Sequence, residues 1–371
     1  TSTNEGISEG AHENLEAYAN TILNRSFLSE LREVQQSAKF ISMGDNSGAA
    51  VMEDGSLWTW GDNEKGQLGN GTTNRSLSPV KIIDSGVRSV SMGHEHAAAV
   101  MEDGSLWTWG ENDSGELGDG TTTSRLTPVK IIDSGVKSAS MGLARSLAVM
   151  EDGSLWTWGN FGTGSLGDGT MSHRLTPAKV IDSGVESASM FWASAAAVME
   201  DGSLWMWGAN STGQIGDGTT QNRYTPVKVI ESGVECVSAG AWHTYALLEN
   251  GSLWKWGSGS TSASRPAEFI ESGVRSIAQG HGDNMAAIMD DGSLWMWGSN
   301  NRDGQLGDGT TESHYNPVEI ISSGVKLASV GTWNSGAVLD DGSLWTWGQN
   351  YNGALGDGTT ERRLVPTKIF G

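Results

Sequence analysis

One phrase, Asp-Gly-Ser-Leu-Trp-Thr-Trp-Gly, recurs along the chain with small changes and governs what the chain can become. Its first glycine falls at Gly55, Gly104, Gly153, Gly202, Gly251, Gly292 and Gly342, in steps of 49, 49, 49, 49, 41 and 50 residues. A fixed period of this length marks a repeat architecture, in which each unit buries its faces only against its neighbours. The 371 residues therefore read as one repeat domain with a short preface, not as two or three separate folds.

The unit Val87 to Asp133 shows the parts. Val87 to Met92 alternates and stops at Gly93; three variable residues follow, then a second apolar run, Ala97 to Met101. Asp103-Gly104 is a two-residue turn whose twist suits a hairpin. Ser105 to Trp109 is a third strand, and a loop from Gly110 to Thr127 carries Gly-Glu-Leu-Gly-Asp-Gly. Pro128 then opens a fourth strand, Val129 to Ile132. Four short antiparallel strands per unit and seven units predict an all-β, seven-bladed β-propeller. The repeats supply fourteen of the 17 tryptophans, two residues apart on one face of each third strand. They read as core at the blade interfaces.

Whole units run from about Ala38 to Phe370, so the propeller spans residues 38–371 and its ring closes without a missing strand. Residues 1–37 differ. Leu15, Tyr18, Ile22, Leu23, Phe27, Leu31 and Val34 recur at helical spacing, which predicts a short N-terminal helical segment or linker. Cys236 is the single cysteine, so neither an intrachain disulfide nor a cysteine metal site is expected, and it reads as a small packed residue. The formal charge of −21 argues against nucleic acid and against an anionic membrane surface. No stretch approaches the roughly 18 apolar residues of a spanning helix.

The units resemble the regulator of chromosome condensation repeat family. The likeness rests on Ser-Gly-Val, on Gly-x-x-His-x-x-Ala (Gly93 to Ala99, Gly240 to Ala246), on Asp-Gly-x-x-x-x-Trp-Gly and on Asn-x-x-Gly-x-Leu-Gly-x-Gly. It covers about nine tenths of the chain and implies a seven-bladed propeller. The founding member's exchange-factor role goes with basic DNA contacts and an inserted wedge, neither of which is found here. Plant ultraviolet-B photoreceptors share the fold, but only Ala241-Trp242-His243-Thr244 approaches their Trp-Arg motif, without its arginine. The repeats are also similar to the propeller-type bacterial β-lactamase inhibitory protein. That likeness implies target-binding aromatics in the loop after the first strand, matching Phe191-Trp192, Trp242-His243 and Trp333 here. It also implies a bacterial, extracytoplasmic setting, secreted or at the cell surface.

Strand alternation sends the loops after strands one and three to one face, the top, and the Asp-Gly hairpins to the other. The bottom is uniform and acidic, from Glu53-Asp54 through Asp340-Asp341. The top varies: Asp45-Asn46-Ser47, His94-Glu95-His96, Leu143-Ala144-Arg145, Trp192-Ala193-Ser194, Ala241-Trp242-His243, His281-Gly282-Asp283-Asn284 and Thr332-Trp333-Asn334. The candidate partner-binding residues are Asp45, His94, His96, Arg145, Phe191, Trp192, Trp242, His243, His281, Asp283, Trp333 and Asn334. Exposed tryptophan, histidine and arginine on a polar rim have the composition of an interaction hot spot. If the Ala-rich strands lie nearest the axis, these loops crowd the mouth of the central channel.

In the longer loops Asp119, Asp168, Asp217, Asp308 and Asp357 precede Arg125, Arg174, Arg223, His314 and Arg363, a pairing expected to pin each loop. Unit five lacks this loop, which leaves a gap on the rim for a partner or for the N-terminal segment. Two histidines of His94-Glu95-His96 need a third ligand that only His281 or His243 across the channel offers, so no metal is expected. Neither Gly-x-Ser-x-Gly nor a phosphate-cradling Gly-x-x-x-x-Gly-Lys occurs. The expectation is a non-enzymatic propeller, without cofactor, that binds a protein on its top face. The alternatives are a glycan-binding module and a guanine-nucleotide exchange effector on a small GTPase.

Overall fold

A computed structural model describes residues 37–160, 162–257, 264–280 and 283–371. The expected N-terminal helices lie outside the described residues. Seven four-stranded antiparallel sheets follow one another, each built from four consecutive strands. In blade two these are Val87–Met92, His96–Met101, Leu106–Gly110 and Arg125–Ile132. The fourth strand starts three residues before Pro128, not at it. The outermost strand pairs on one side only, so a proline without an N–H is tolerated inside it.

The first strands, not the Ala-rich second ones, stand nearest the axis. Ser42, Ser91, Ser140 and Met92 of the first strands line the central channel. The serines stitch the ring from blade to blade: Met92 N–H donates to the Ser42 hydroxyl at 2.9 Å and Met141 N–H to Ser91 at 3.0 Å. The Ala-rich strands lie one layer out, buried along nearly their whole length. Small side chains are required there because both sheet faces meet a neighbouring blade.

The two tryptophans of each third strand have different environments. The inner one, Trp60, Trp109, Trp158, Trp207, Trp256, Trp297 or Trp347, is fully buried. Its indole N–H crosses to the preceding blade. Trp109 donates to the Gln67 carbonyl at 2.8 Å, Trp158 to Glu116 at 2.9 Å, Trp207 to Ser165 at 2.9 Å and Trp347 to Gln305 at 3.0 Å. Each acceptor is the residue before Leu or Ile in Gly-x-Leu-Gly, so the long loop of one blade clasps the next. The outer tryptophan is half-buried, donates to a serine hydroxyl two residues earlier, and in four blades lies under a lysine ammonium, as Trp107 does under Lys130 at 5.5 Å.

The same clasp closes the ring. Trp60 donates to Ala354 of blade seven at 2.8 Å, and Ala38 N–H donates to Gly342 at 2.8 Å. Blade seven takes all four strands from Val325 to Phe370, so closure needs no strand exchange between the chain ends.

The expected acid–base pairs pin the long loops. Asp119 accepts from Arg125 at 2.6 and 2.8 Å, Asp168 from Arg174 at 2.8 Å, Asp357 from Arg363 at 2.8 Å, and Asp308 lies 2.9 Å from His314. Asp217 and Arg223 pair likewise, at 2.6 Å. Blade one has Asn70 and Ser76 in these places, so acid and base are lost together. Cys236 is a free, half-buried thiol packed against the apolar cluster between blades five and six, and burial pushes it up to about 12.

Candidate recognition face

In five blades the short loop after the first strand bonds to the start of the same blade's long loop. Glu111 N–H donates to the Glu95 carbonyl at 2.9 Å, and Gln349 N–H to Trp333 at 2.8 Å. Both kinds of loop therefore emerge together, on the face away from the Asp-Gly hairpins.

Within the variable triplets, position decides exposure. The last residue of each begins the second strand or immediately precedes it and points into the blade; six of the seven are buried, and His243 is the exception. His96, Arg145 and Asn334 are thus buried, as is Asp45 at the first position of its triplet, and the four support the face from beneath. Asp45 accepts from the Thr332 hydroxyl, its carbonyl accepts from Asn334 at 3.2 Å, and its carboxylate lies 3.2 Å from His94 Nε2. One aspartate so joins blades seven, one and two. His96 Nε2 faces the Ser146 hydroxyl at 3.2 Å. His94 and His96 therefore turn to different partners; among the described residues no three His, Cys, Asp or Glu side chains converge as metal ligands.

Two indoles do face solvent, Trp192 at 47% exposure and Trp242 at 51%. They sit on adjacent blades, four and five, and their backbones are held from the blade before. The Arg145 guanidinium donates to the Trp192 carbonyl, and the Thr212 hydroxyl donates to the Trp242 carbonyl at 3.4 Å. Burial pulls Arg145 down to about 10, still charged at neutral pH. Trp333 is half-buried. Phe191 ends the first strand of blade four where the other units carry glycine; its side chain, and His281, lie outside the described residues.

Sequence reading missed a charged cluster between blades one and two. Lys65 Nζ meets Glu111 at 2.6 Å and Glu95 at 4.0 Å. Burial first, then the adjacent Glu111, push the Glu95 carboxyl from 4.5 up to about 7. Burial also works against Glu111, but hydrogen bonds from Lys65 and Glu95 hold it below its usual value. Between pH 4.5 and 7 the folded ring keeps a proton on Glu95 that the unfolded chain has released, so this group's contribution falls as pH rises across that window. Glu95→Gln is expected to match the parent in urea midpoint at pH 5 and to exceed it at pH 8. Parallel midpoints at both pH values would show that Glu95 ionises normally.

On the opposite face, Lys39 pairs with Glu102 at 3.4 Å, Arg88 with Glu151 at 3.1 Å and Lys326 with Glu53 at 3.8 Å. Blades four and five carry Glu186 and Glu235 at the cation's position, so the acidic ring is least compensated there.

Comparison with known proteins agrees with this geometry. The sequence model described as the regulator of chromosome condensation (RCC1) repeat matches residues 54–100, 103–149, 201–247, 291–338 and 341–371. A second model of the same description matches residues 38–67, 87–116 and 234–261. No curated protein matches the chain by sequence. Among solved structures, human WBSCR16 is 21% identical with a TM-score of 0.75, over 85% of this chain and 93% of that one. Prp20p from Saccharomyces cerevisiae, described with its binding to Gsp1p and histones, is 18% identical with a TM-score of 0.74, over 91% and 88%. Yeast RCC1 (Prp20) bound to Kap60 is 19% identical with a TM-score of 0.73, over 90% and 85%. At these identities the likeness is one of fold; none of the three is a β-lactamase inhibitor.

Proposed function

Since the chain belongs to the regulator of chromosome condensation repeat family, we propose that it is a non-enzymatic, protein-binding propeller whose recognition surface is the face bearing Trp192 and Trp242. The observation that carries this reading is the pairing of exposed indole with fixed backbone. Burying an aromatic side chain contributes roughly 1.5–3 kcal/mol, and tryptophan is enriched among residues that dominate binding energy. A residue whose backbone is already held loses less freedom when it binds. Both tryptophans meet these conditions, and they stand side by side on neighbouring blades.

The net charge of −21 favours encounter with a basic partner, so the association rate should fall as salt rises. Affinity capture from the protein's native environment tests the site. Trp192→Ala/Trp242→Ala should lose the partner that the parent retains, while Glu102→Gln/Glu151→Gln, on the opposite face, should keep it. Capture undiminished in the folded tryptophan variant would reject this surface.

A second reading is guanine-nucleotide exchange on a small GTPase. It draws on the family and on the binding of the yeast relative to Gsp1p and histones. Acceleration of nucleotide release from a panel of small GTPases would support it, and unchanged release across the panel would remove it.

A further inference from the structure

We propose that the cleft between blades five and six is a binding site for a carboxylate group, with Lys255 as its cationic anchor. The inference goes beyond the recognition face described above and stands independently of Trp192 and Trp242.

The cleft exists because blade five lacks the long loop. Elsewhere that loop does three things for the next blade. Its Gly-x-Leu carbonyl accepts the inner indole N–H, its first glycine packs on the second residue of the next fourth strand, and its last glycine N–H donates to that residue's carbonyl. Gly115 packs in this way on Leu175, and Gly120 N–H donates to the Leu175 carbonyl at 2.8 Å. The fourth strand of blade five is also cut to Ala267–Ile270, against eight residues in every other blade, so Gly257 pairs with His243 but has no fourth-strand partner among the described residues. Blade six therefore faces an opening. Tyr315, the counterpart of Leu175, is 73% exposed.

The residues around the opening depart from their columns in the repeat. Tyr245 replaces Ala, Leu or Gly, and its hydroxyl accepts the Trp297 N–H at 3.1 Å in place of the missing carbonyl. Lys255 replaces Thr or Met. In four blades that threonine bonds to its own long loop, as Thr108 does to Leu117 at 2.9 Å; the sequence of blade five lacks the Gly-x-Leu-Gly segment that it would hold. Asp283 has φ of 70°, alone among the non-glycine described residues in the left-handed region, and meets His243 Nδ1 at 2.7 Å and the Ser299 hydroxyl at 3.2 Å.

Together these side chains enclose a cavity of about 260 Å³, far above the roughly 10–15 Å³ one water needs. It is lined by one ammonium, Lys255, and one carboxylate, Asp283, which form no salt bridge with each other. Asp283 is engaged by His243 and Ser299, whereas Lys255 makes no salt bridge and finds no hydrogen-bonding oxygen among the described residues. Its ammonium rests on the rings of Tyr245 and Phe269, 5.3 and 5.5 Å away. Ring faces stabilise the cation but leave its three N–H donors unused. A half-buried ammonium with free donors calls for an anion. A single carboxylate fits better than a phosphate, because Asp283 repels a second negative charge and only one lysine is present. The rings of Tyr245 and Tyr315 suit a planar or apolar body attached to it.

The test uses the full chain labelled with ¹³C-lysine, titrated with sodium acetate, sodium benzoate and the peptide acetyl-Gly-Glu-Gly-amide, against sodium chloride at equal ionic strength. Lys255 signals should shift saturably with the carboxylates and not with chloride. Lys255→Met should weaken benzoate binding by about tenfold or more, as loss of a charge-assisted bond requires. That variant is safe for folding, since Met206 and Met296 occupy the same position, fully buried, in blades four and six. Peptide binding as tight as acetate would assign the carboxylate to an acidic side chain of a partner, and exclusion of the peptide would assign it to a small free acid. Chloride reproducing the shifts, or Lys255→Met binding benzoate within about twofold of the parent, would overturn the site and leave the reading of Trp192 and Trp242 intact.

Discussion

Replacing Trp158 by alanine is expected to destabilise the ring by about 3–5 kcal/mol, whereas Trp156→Ala, two residues earlier, should cost under about 1.5 kcal/mol. The two side chains share a strand and a face but not an environment. Trp158 is fully buried among Ala98, Val100 and Leu106 of blade two and Met141 and Ala148 of its own blade. Its indole N–H is the link to the Glu116 carbonyl. Removing it empties a large volume and deletes one bond of the clasp, leaving the Ser146 hydroxyl on the same carbonyl at 2.7 Å. Trp156 is half-exposed, bonds only to Ser154 at 3.0 Å and lies under Lys179 at 5.6 Å, so water can replace much of what it loses. Urea melts of the two variants check the difference; equal losses would mean that the inner row does not carry the interface.

Tyr245→Phe is expected to cost about 1–3 kcal/mol by stranding the Trp297 N–H. The substitution keeps the ring and its edge contacts to Trp297 and Phe269, with centroids 5.9 and 6.1 Å apart, and deletes one oxygen. Among the described residues no loop carbonyl lies at this interface to take over. Tyr351→Phe is the control, since its hydroxyl meets Asp303 at 3.2 Å on an exposed surface and its loss should fall within about 0.5 kcal/mol of the parent. Equal effects of the two would show that Trp297 finds another acceptor.

The propeller was legible because its evidence is redundant: seven copies of one phrase fix blade number, strand number and hairpin positions at once. The layer order was not. Ala97 to Val100 reads as strand wherever it lies, and the choice of the first strand for the axis appears only in the serine-to-backbone links such as Ser42 to Met92. The loop diversity was also legible, but its chemistry misled in part. His96 and Arg145 drew notice as polar groups on a variable rim, yet each begins a strand whose side chains turn inward. The period-two alternation that separates Trp107 from Thr108 would have separated Glu95 from His96 had it been carried through the turn. Lys255 and Tyr245 went unnoticed for a different reason. They lie in strands, where one blade looks like the next, and their departure shows only when each column is compared with the loss of the loop that normally covers it.

Oxidative footprinting of the captured complex addresses the central claim most directly, by measuring how fast hydroxyl radicals modify each exposed side chain with and without the partner. Protection concentrated at Trp192 and Trp242, with the Asp-Gly hairpin segments reacting as in the free protein, is the predicted pattern. Undiminished oxidation of both indoles alongside protection of the hairpin face would place recognition on the other side of the ring.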